Sequence, residues 1–298
     1  MTEGGAGRPL LVCADDYGLA PGIDVAVAAL VRAGRLGAFS CLVNAPGWRD
    51  AAAVVPALRR QARAGLHLNL TEGRPLSAVL AGLWPVLPTL ARLLLMAHTG
   101  RLPGAAVRAE LDAQWQAFVT ATGQVPDYLD GHQHVHHLPG VREAVLARAV
   151  LHRLPVRNTA RLQGPGAAFK RWVIERSGGR ALGRALQQRG LPHHPVLLGA
   201  YDFIEPDYRR LMRAWLAQVP ASGALLFCHP ASGGGEVRPA ASAAAPPDGA
   251  ADAIAPARQR EWAYLASDDF AHDLAEAGVV LVSDWPASPP LSRTSSGG

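Results

Sequence analysis

Short apolar runs alternate along the chain with longer stretches whose apolar residues recur three and four positions apart. Residues 10–14 form an unbroken apolar run between Pro9 and the Asp15-Asp16 pair, which predicts a fully buried strand. From residue 21 to 33, Ile23, Val27, Leu30 and Val31 keep helical spacing, and Gly34 offers a C-cap. The same reading predicts strands at 39–43, 65–70, 128–132, 156–158, 196–200, 224–228 and 279–282. It predicts helices at 48–64, 141–152, 207–219 and 258–277. Repeated strand–helix units with both sheet faces covered imply a parallel sheet. About eight such units favour a closed α/β barrel over a doubly wound sheet. No Gly-x-Gly-x-x-Gly follows the first strand, which argues against dinucleotide binding.

Two segments interrupt this rhythm. Residues 71–125 form a long excursion, expected to be a helical insertion around 87–98 and 105–122. Residues 232–256 are rich in Gly, Ala and Pro and read as a flexible loop, and residues 288–298 as a disordered tail. One catalytic barrel domain is therefore expected over residues 1–287.

Composition narrows the class of function. The chain has 298 residues, 49% hydrophobic and 18% charged, enough apolar material for a large core. Its formal charge is +5, and Lys170 is the single lysine among 29 basic residues. The arginines are scattered, so no basic block of nucleic-acid type stands out. The greasiest stretch, residues 83–97, contains Pro85, Pro88 and Arg92 and is too short to span a bilayer. Cys13, Cys41 and Cys228 are far apart within apolar runs and read as buried thiols in a reducing compartment. No signal-peptide pattern opens the chain. The expectation is a cytoplasmic protein without nucleic-acid or membrane partners.

Candidate chemistry gathers at the carboxyl ends of the predicted strands, where barrel sites are built. Asp15 and Asp16 follow the first strand; adjacent carboxylates there need a cation or a proton nearby. In residues 65–70, strand alternation sends His67, Asn69 and Thr71 to one face, suggesting a polar lumen. Asp130-Gly-His-Gln-His-Val-His-His137 ends another strand, and if extended it sets Asp130, His132, His134 and His136 on one side. One carboxylate from Asp15 and Asp16, with His67 and one of His132 and His134, makes a two-histidine, one-carboxylate metal site with open positions. That set suits a hydrolytic metal carrying water, and equally a non-haem iron oxygenase. His229 ends the strand at 224–228 and reads either as a structural cap or as a general acid across the site. Arg157 reads as a group that orients a neighbouring carboxylate or as an ordinary salt bridge.

Ala14-Asp-Asp-Tyr-Gly18, the run from Gly65 to Leu76 and Asp130-Gly-His-Gln-His-Val-His136, in this order and spacing, resemble the YdjC/ChbG-like carbohydrate deacetylases. The likeness is specific from about residue 10 to 158 and looser through Leu226-Phe-Cys-His-Pro230 to Asp284. Tyr17 stands where the family often carries Phe, and residues 232–256 are variable. The resemblance implies a distorted TIM-like barrel related to polysaccharide deacetylases, a homodimer, and removal of acetyl groups from N-acetylated sugars such as chito-oligosaccharides. It also implies a divalent metal, commonly magnesium, with zinc or another ion compatible. Mapped residue by residue, Asp16, His67 and His132 would hold the metal and Asp15 would be the base. His134 and Arg157 are placed with the substrate, and His229 as the acid. A non-catalytic sugar- or metal-binding homologue is the rival reading, with the oxygenase behind it.

Overall fold

A computed structural model describes residues 7–233 and 252–285. The predicted tail at 288–298 and most of the predicted loop at 232–256 lie outside the described residues. Seven strands are described: β1 (Arg8–Tyr17), β2 (Ala38–Cys41), β3 (Arg63–Leu68), β4 (Leu129–Gly131), β5 (Leu197–Leu198), β6 (Ala224–Cys228) and β7 (Val279–Leu281). Their pairings are all parallel, in the order β4-β3-β2-β1-β6-β5. Leu10 pairs with both Ala224 of β6 and Leu281 of β7, so β7 lies on the β2 edge of β1, below the start of β2.

The sheet curls into a distorted barrel. Between β4 and β5 the gap is spanned by residues 156–162, which touch the sheet at single bridges, Val156 to Leu129 and Leu162 to Leu197. The strand expected at 156–158 is therefore one bridge in an irregular segment. That irregularity is what carries Arg157 to the barrel mouth.

Strand alternation divides the core in two. Leu11, Cys13, Ala38, Tyr128, Leu197, Leu225 and Phe227 belong to the cluster that fills the lumen. Leu10, Val12, Phe39, Leu66 and Leu226 point outward into the layer beneath the helices. With both faces buried, these strands read as continuous apolar runs. Gly65 makes room for the lumen's Tyr128, since a Cβ there would lie 2.3 Å from the Tyr128 ring.

Helices α1 (Pro21–Arg32), α2 (Trp48–Ala52) and α3 (Val55–Leu58) link the first three strands. The single helix expected at 48–64 breaks in two before Pro56, which has no N–H to bond the carbonyl four residues back. The 71–125 segment contains α4 (Ala78–Leu83), α5 (Leu90–His98) and α6 (Gly104–Thr122). Residues from α6 fix the loop after β3: Glu110 accepts from the Leu76 and Ser77 N–H groups. Gln114 bonds both backbone groups of Asn69. The outer layer continues with α7 (Arg142–His152), α8 (Ala168–Ile174), α9 (Arg180–Gln188), α10 (Tyr208–Leu216), α11 (Ala255–Leu265) and α12 (Asp268–Glu276). The helix expected at 258–277 is thus two, divided at Ser267, whose extended backbone and Oγ bond to the Tyr264 carbonyl turn the chain. Among the described residues, no helix is long and apolar enough to cross a membrane.

Candidate metal and hydrolytic site

The first strand does not stop at Ala14. It runs on through Tyr17 with a bulge: Ala14 pairs with Phe39 and Tyr17 with Cys41, so three steps on β1 oppose two on β2. Asp16 takes the left-handed conformation at φ 67°. A bulge re-aims side chains that would otherwise alternate, and Asp15 and Asp16 are both buried at the barrel mouth.

Asp16 meets two histidines there. Its Oδ1 lies 3.0 Å from His132 Nδ1 and 3.7 Å from His67 Nε2. Ligand atoms of Asp16, His67 and His132 all fall within 4.8 Å of one another. His67 donates from Nδ1 to Asp130 Oδ1 at 2.7 Å. A carboxylate only accepts, so Nδ1 of His67 carries a proton toward Asp130, and Nε2 is the nitrogen turned to Asp16. Burial would raise the Asp130 and Asp16 carboxyls, but charged neighbours hold both below the usual range. For Asp130 these are Arg157 and His67, and for Asp16 they are Arg258 and His132. Burial also works against a charged His132, yet Asp16 and Glu72 outweigh it and push the ring up to about 10. Two imidazoles and an ionised carboxylate in one buried cluster are a fitting donor set for a divalent ion, which would replace the proton on His132 Nδ1.

Asp15 is turned to a different partner. Arg157 forks onto it with Nη1 to Oδ2 at 2.7 Å and Nη2 to Oδ1 at 2.6 Å. The same Nη2 lies 2.6 Å from Asp130 Oδ2 and 3.2 Å from Cys13 Sγ. Cys13, Asp15 and Asp130 are a second trio of ligand type, but the guanidinium already sits among them. Ser40 and Tyr128 complete the buried network, Ser40 Oγ donating to Asp130 at 2.6 Å and meeting the Tyr128 hydroxyl at 2.8 Å. Arg157 is fully buried. Its placement with the substrate therefore gives way to a different role: it joins the Asp15 side of the site to the His67 side.

The histidine run does not stay extended. β4 ends at Gly131, and His132–His137 form a 3-10 turn with Gln133 and His134 at φ 51° and 62°. His132 and His134 consequently part company. The His134 ring packs edge-on against Phe227 at 5.3 Å, near His136 and His137. Burial, then the charge of Arg157, holds His134 well below the usual imidazole range. His136 donates from Nε2 to the Arg157 carbonyl, and His137 bonds Thr159 and Ser177. Asn69 and Thr71, expected on the lumen face with His67, lie beyond the end of β3. Asn69 instead folds the loop, accepting from the Thr71 and Glu72 N–H groups and donating to the Glu72 carbonyl.

His229 follows β6 with Nε2 4.0 Å from Asp15 Oδ2, its ring edge-on to Phe203 and Phe227. Burial pushes it down to about 4, more than the nearby Asp16 and Asp15 raise it, so the ring is neutral at pH 7. Its backbone N–H donates to the buried Glu261, which also accepts from the Tyr201 hydroxyl.

Besides Ser40 and Tyr128, Glu72 and Arg258 escaped the sequence reading. Glu72 Oε1 lies 3.1 Å from His132 Nε2 and accepts from Gln133 Nε2 at 3.0 Å. Arg258, at the start of α11, gives Nη2 to Asp16 Oδ2 and Nε to Asp252 Oδ2, each at 2.7 Å. Glu72 stood inside a recognised motif, whereas Arg258 is 242 positions from its partner with no local signal.

The chain is similar to known proteins in sequence and in fold. A family model described as YdjC-like protein matches residues 9–276. The chain is 34% identical over 297 residues to a carbohydrate deacetylase of Mus musculus, covering 91% of this chain and 92% of that protein. It is 36% identical over 155 residues to a chitooligosaccharide deacetylase of Proteus mirabilis (strain HI4320), covering 50% of this chain and 58% of that one. A crystal structure from Enterococcus faecalis V583, of a protein provisionally assigned as a cellobiose-phosphate cleavage protein, superposes with a TM-score of 0.71 at 19% identity. That match covers 95% of this chain and 100% of the other, and is a likeness of fold.

Proposed function

The chain belongs to the YdjC-like protein family, and from that premise we propose that it is a divalent-metal-dependent deacetylase of N-acetylated amino sugars or chito-oligosaccharides. The observation that carries the reading is the pair of functions side by side at the end of β1. Asp16 joins His67 and His132 in a metal-type cluster, while Asp15 stands apart from it on Arg157. Relatives named carbohydrate deacetylase and chitooligosaccharide deacetylase support the substrate class.

Asp16, His67 and His132 would hold the ion, magnesium by family resemblance, with zinc also suited to two imidazoles. A divalent ion held there would supply Lewis acidity toward the attacking water and the acetamide carbonyl. Asp15 accepts the proton of the attacking water as general base. Arg157 fixes the plane of that carboxylate with two hydrogen bonds, so the base does not have to be oriented during the reaction. His229, with Nε2 4.0 Å from Asp15 Oδ2, would receive the proton that Asp15 takes from the water and give it to the departing amine. Phe203 and Phe227 flank His229, each edge-on to its ring. His134, also edge-on to Phe227, is assigned to the substrate side. The all-parallel barrel disfavours the oxygenase alternative, whose usual scaffold is antiparallel.

Acetate release from a panel of N-acetylated mono- and oligosaccharides, with magnesium, zinc, manganese or cobalt added to metal-stripped protein, tests the proposal. Release from at least one such sugar is expected. Sugar or metal binding without acetate release would favour the non-catalytic reading instead.

A further inference from the structure

We propose that Glu72 orients the imidazole of His132, so that each histidine of the cluster has a carboxylate on the nitrogen facing away from Asp16. The inference rests on the reading of Asp16, His67 and His132 as a metal site. His67 turns Nε2 to Asp16 and Nδ1 to Asp130. His132 is set the other way round, with Nδ1 toward Asp16 and Nε2 3.1 Å from Glu72 Oε1. The latter is an ion-pair contact whose angle falls short of a hydrogen bond, and Glu72 is the acceptor within reach of that otherwise unpartnered nitrogen. An imidazole ligates through one nitrogen, and an acceptor on the other decides which nitrogen keeps the proton. Asp130 selects Nε2 of His67 in this way. Glu72 selects Nδ1 of His132.

Glu72 is built to do this from a loop. Gln133 donates to the same Oε1 at 3.0 Å. Asn69 bonds the Glu72 backbone at both N–H and carbonyl, and Gln114 of α6 bonds Asn69 in turn. The carboxylate is thus held from the turn after β4, and the Glu72 backbone by Asn69 and, through it, from α6. Its side chain is 49% exposed, so it contributes little packing and its role is separable from folding. Glu72 is a positioning residue, acting through His132.

Zn2+ binding to the metal-stripped full chain, followed by isothermal titration calorimetry, tests this without reference to turnover. One equivalent is expected for the wild type, with binding lost in Asp16→Asn. Glu72→Ala is expected to weaken Zn2+ by about 10- to 100-fold, the usual effect of removing such a carboxylate. Glu72→Gln, which keeps an acceptor without the charge, is expected to fall between. The urea midpoint of the metal-free Glu72→Ala chain is expected to match the wild type. Unchanged Zn2+ affinity in Glu72→Ala overturns the inference. Loss as complete as in Asp16→Asn also overturns it, making Glu72 a ligand. Failure of the wild type to bind one equivalent overturns the metal reading itself, and this inference with it.

Discussion

Replacing Arg157 by Met keeps most of the side-chain volume and removes the one cation between two buried carboxylates. Its guanidinium lies 2.6 Å from both Asp15 and Asp130. One unit pair with charge centres 4 Å apart attracts by about 4 kcal/mol at an effective dielectric near 20. Burying the arginine offsets much of that gain, so the net worth of the network is small. Removing only the cation is different, because two carboxylates stay buried without it, and a broken buried pair costs about 3–5 kcal/mol. Asp130 keeps Ser40 and His67 as partners. Among the described residues Asp15 keeps only Cys13 at 3.9 Å and His229 at 4.0 Å, so the larger deficit falls on the proposed base.

The sign of the pH dependence follows from the two states. In the wild type, Asp130 is held below its unfolded value, so its contribution is present above about pH 4 and is lost as pH falls toward the native value. In Arg157→Met, unpaired burial raises the carboxyls, and the penalty grows as pH rises from about 4 toward the raised native value. The destabilisation is therefore expected to be largest at pH 8 and clearly smaller at pH 5. Urea denaturation of metal-free protein at several pH values, followed by tryptophan fluorescence, measures it. A difference under about 1 kcal/mol at pH 8, or one equal at both pH values, would refute the reasoning. Arg157→Lys keeps the charge without the fork and is expected to recover stability better than turnover.

Asp15→Asn is expected to retain metal and lose about 10²–10⁴-fold in kcat, the usual contribution of a general base; metal content assayed beside turnover checks it, and loss of metal would reverse the roles of the two aspartates. His132→Ala is expected to abolish metal binding, while His134→Ala, whose ring faces Phe227, keeps the metal and alters kcat or KM; equal metal loss in both, at matched stability, would defeat the assignment. Asp24, half-buried in the first turn of α1, is pushed up from 3.8 to about 7 by burial, despite accepting from the Gly18 N–H. Its ionisation therefore costs nothing below about pH 4 and progressively more up to pH 7. Asp24→Asn is expected to stabilise the chain by about 1–3 kcal/mol at pH 8 and by less than half of that at pH 5, measured by denaturation at the two pH values.

Apolar runs buried on both faces were the most legible part of the chain: residues 224–228 are β6 as expected, and the parallel barrel follows from the repeat of such runs. Local polarity misled where tertiary contacts decide. Asp15-Asp16 looks like a turn after a strand, because two carboxylates inside a buried strand are unfavourable unless cations meet them. Arg157 and Arg258 do so from 142 and 242 positions away, and no local pattern reports that. The histidine run alternates in sequence, yet Gln133 and His134 take the left-handed region and curl it, separating His132 from His134. The residue types of the proposed metal cluster were readable because a buried strand end carrying His or Asp has few other uses. The groups that orient them, Ser40, Glu72 and Arg258, are ordinary in sequence and become distinct only through distance.

The most direct test of the account is a titration of the metal-stripped chain with a divalent ion while acetate release from an N-acetylated chito-oligosaccharide is followed. Activity is expected to be absent after chelation, to rise with added metal and to saturate at one equivalent per chain, with Asp16→Asn inactive throughout. Acetate release undiminished by chelation, or retained in Asp16→Asn, would contradict it.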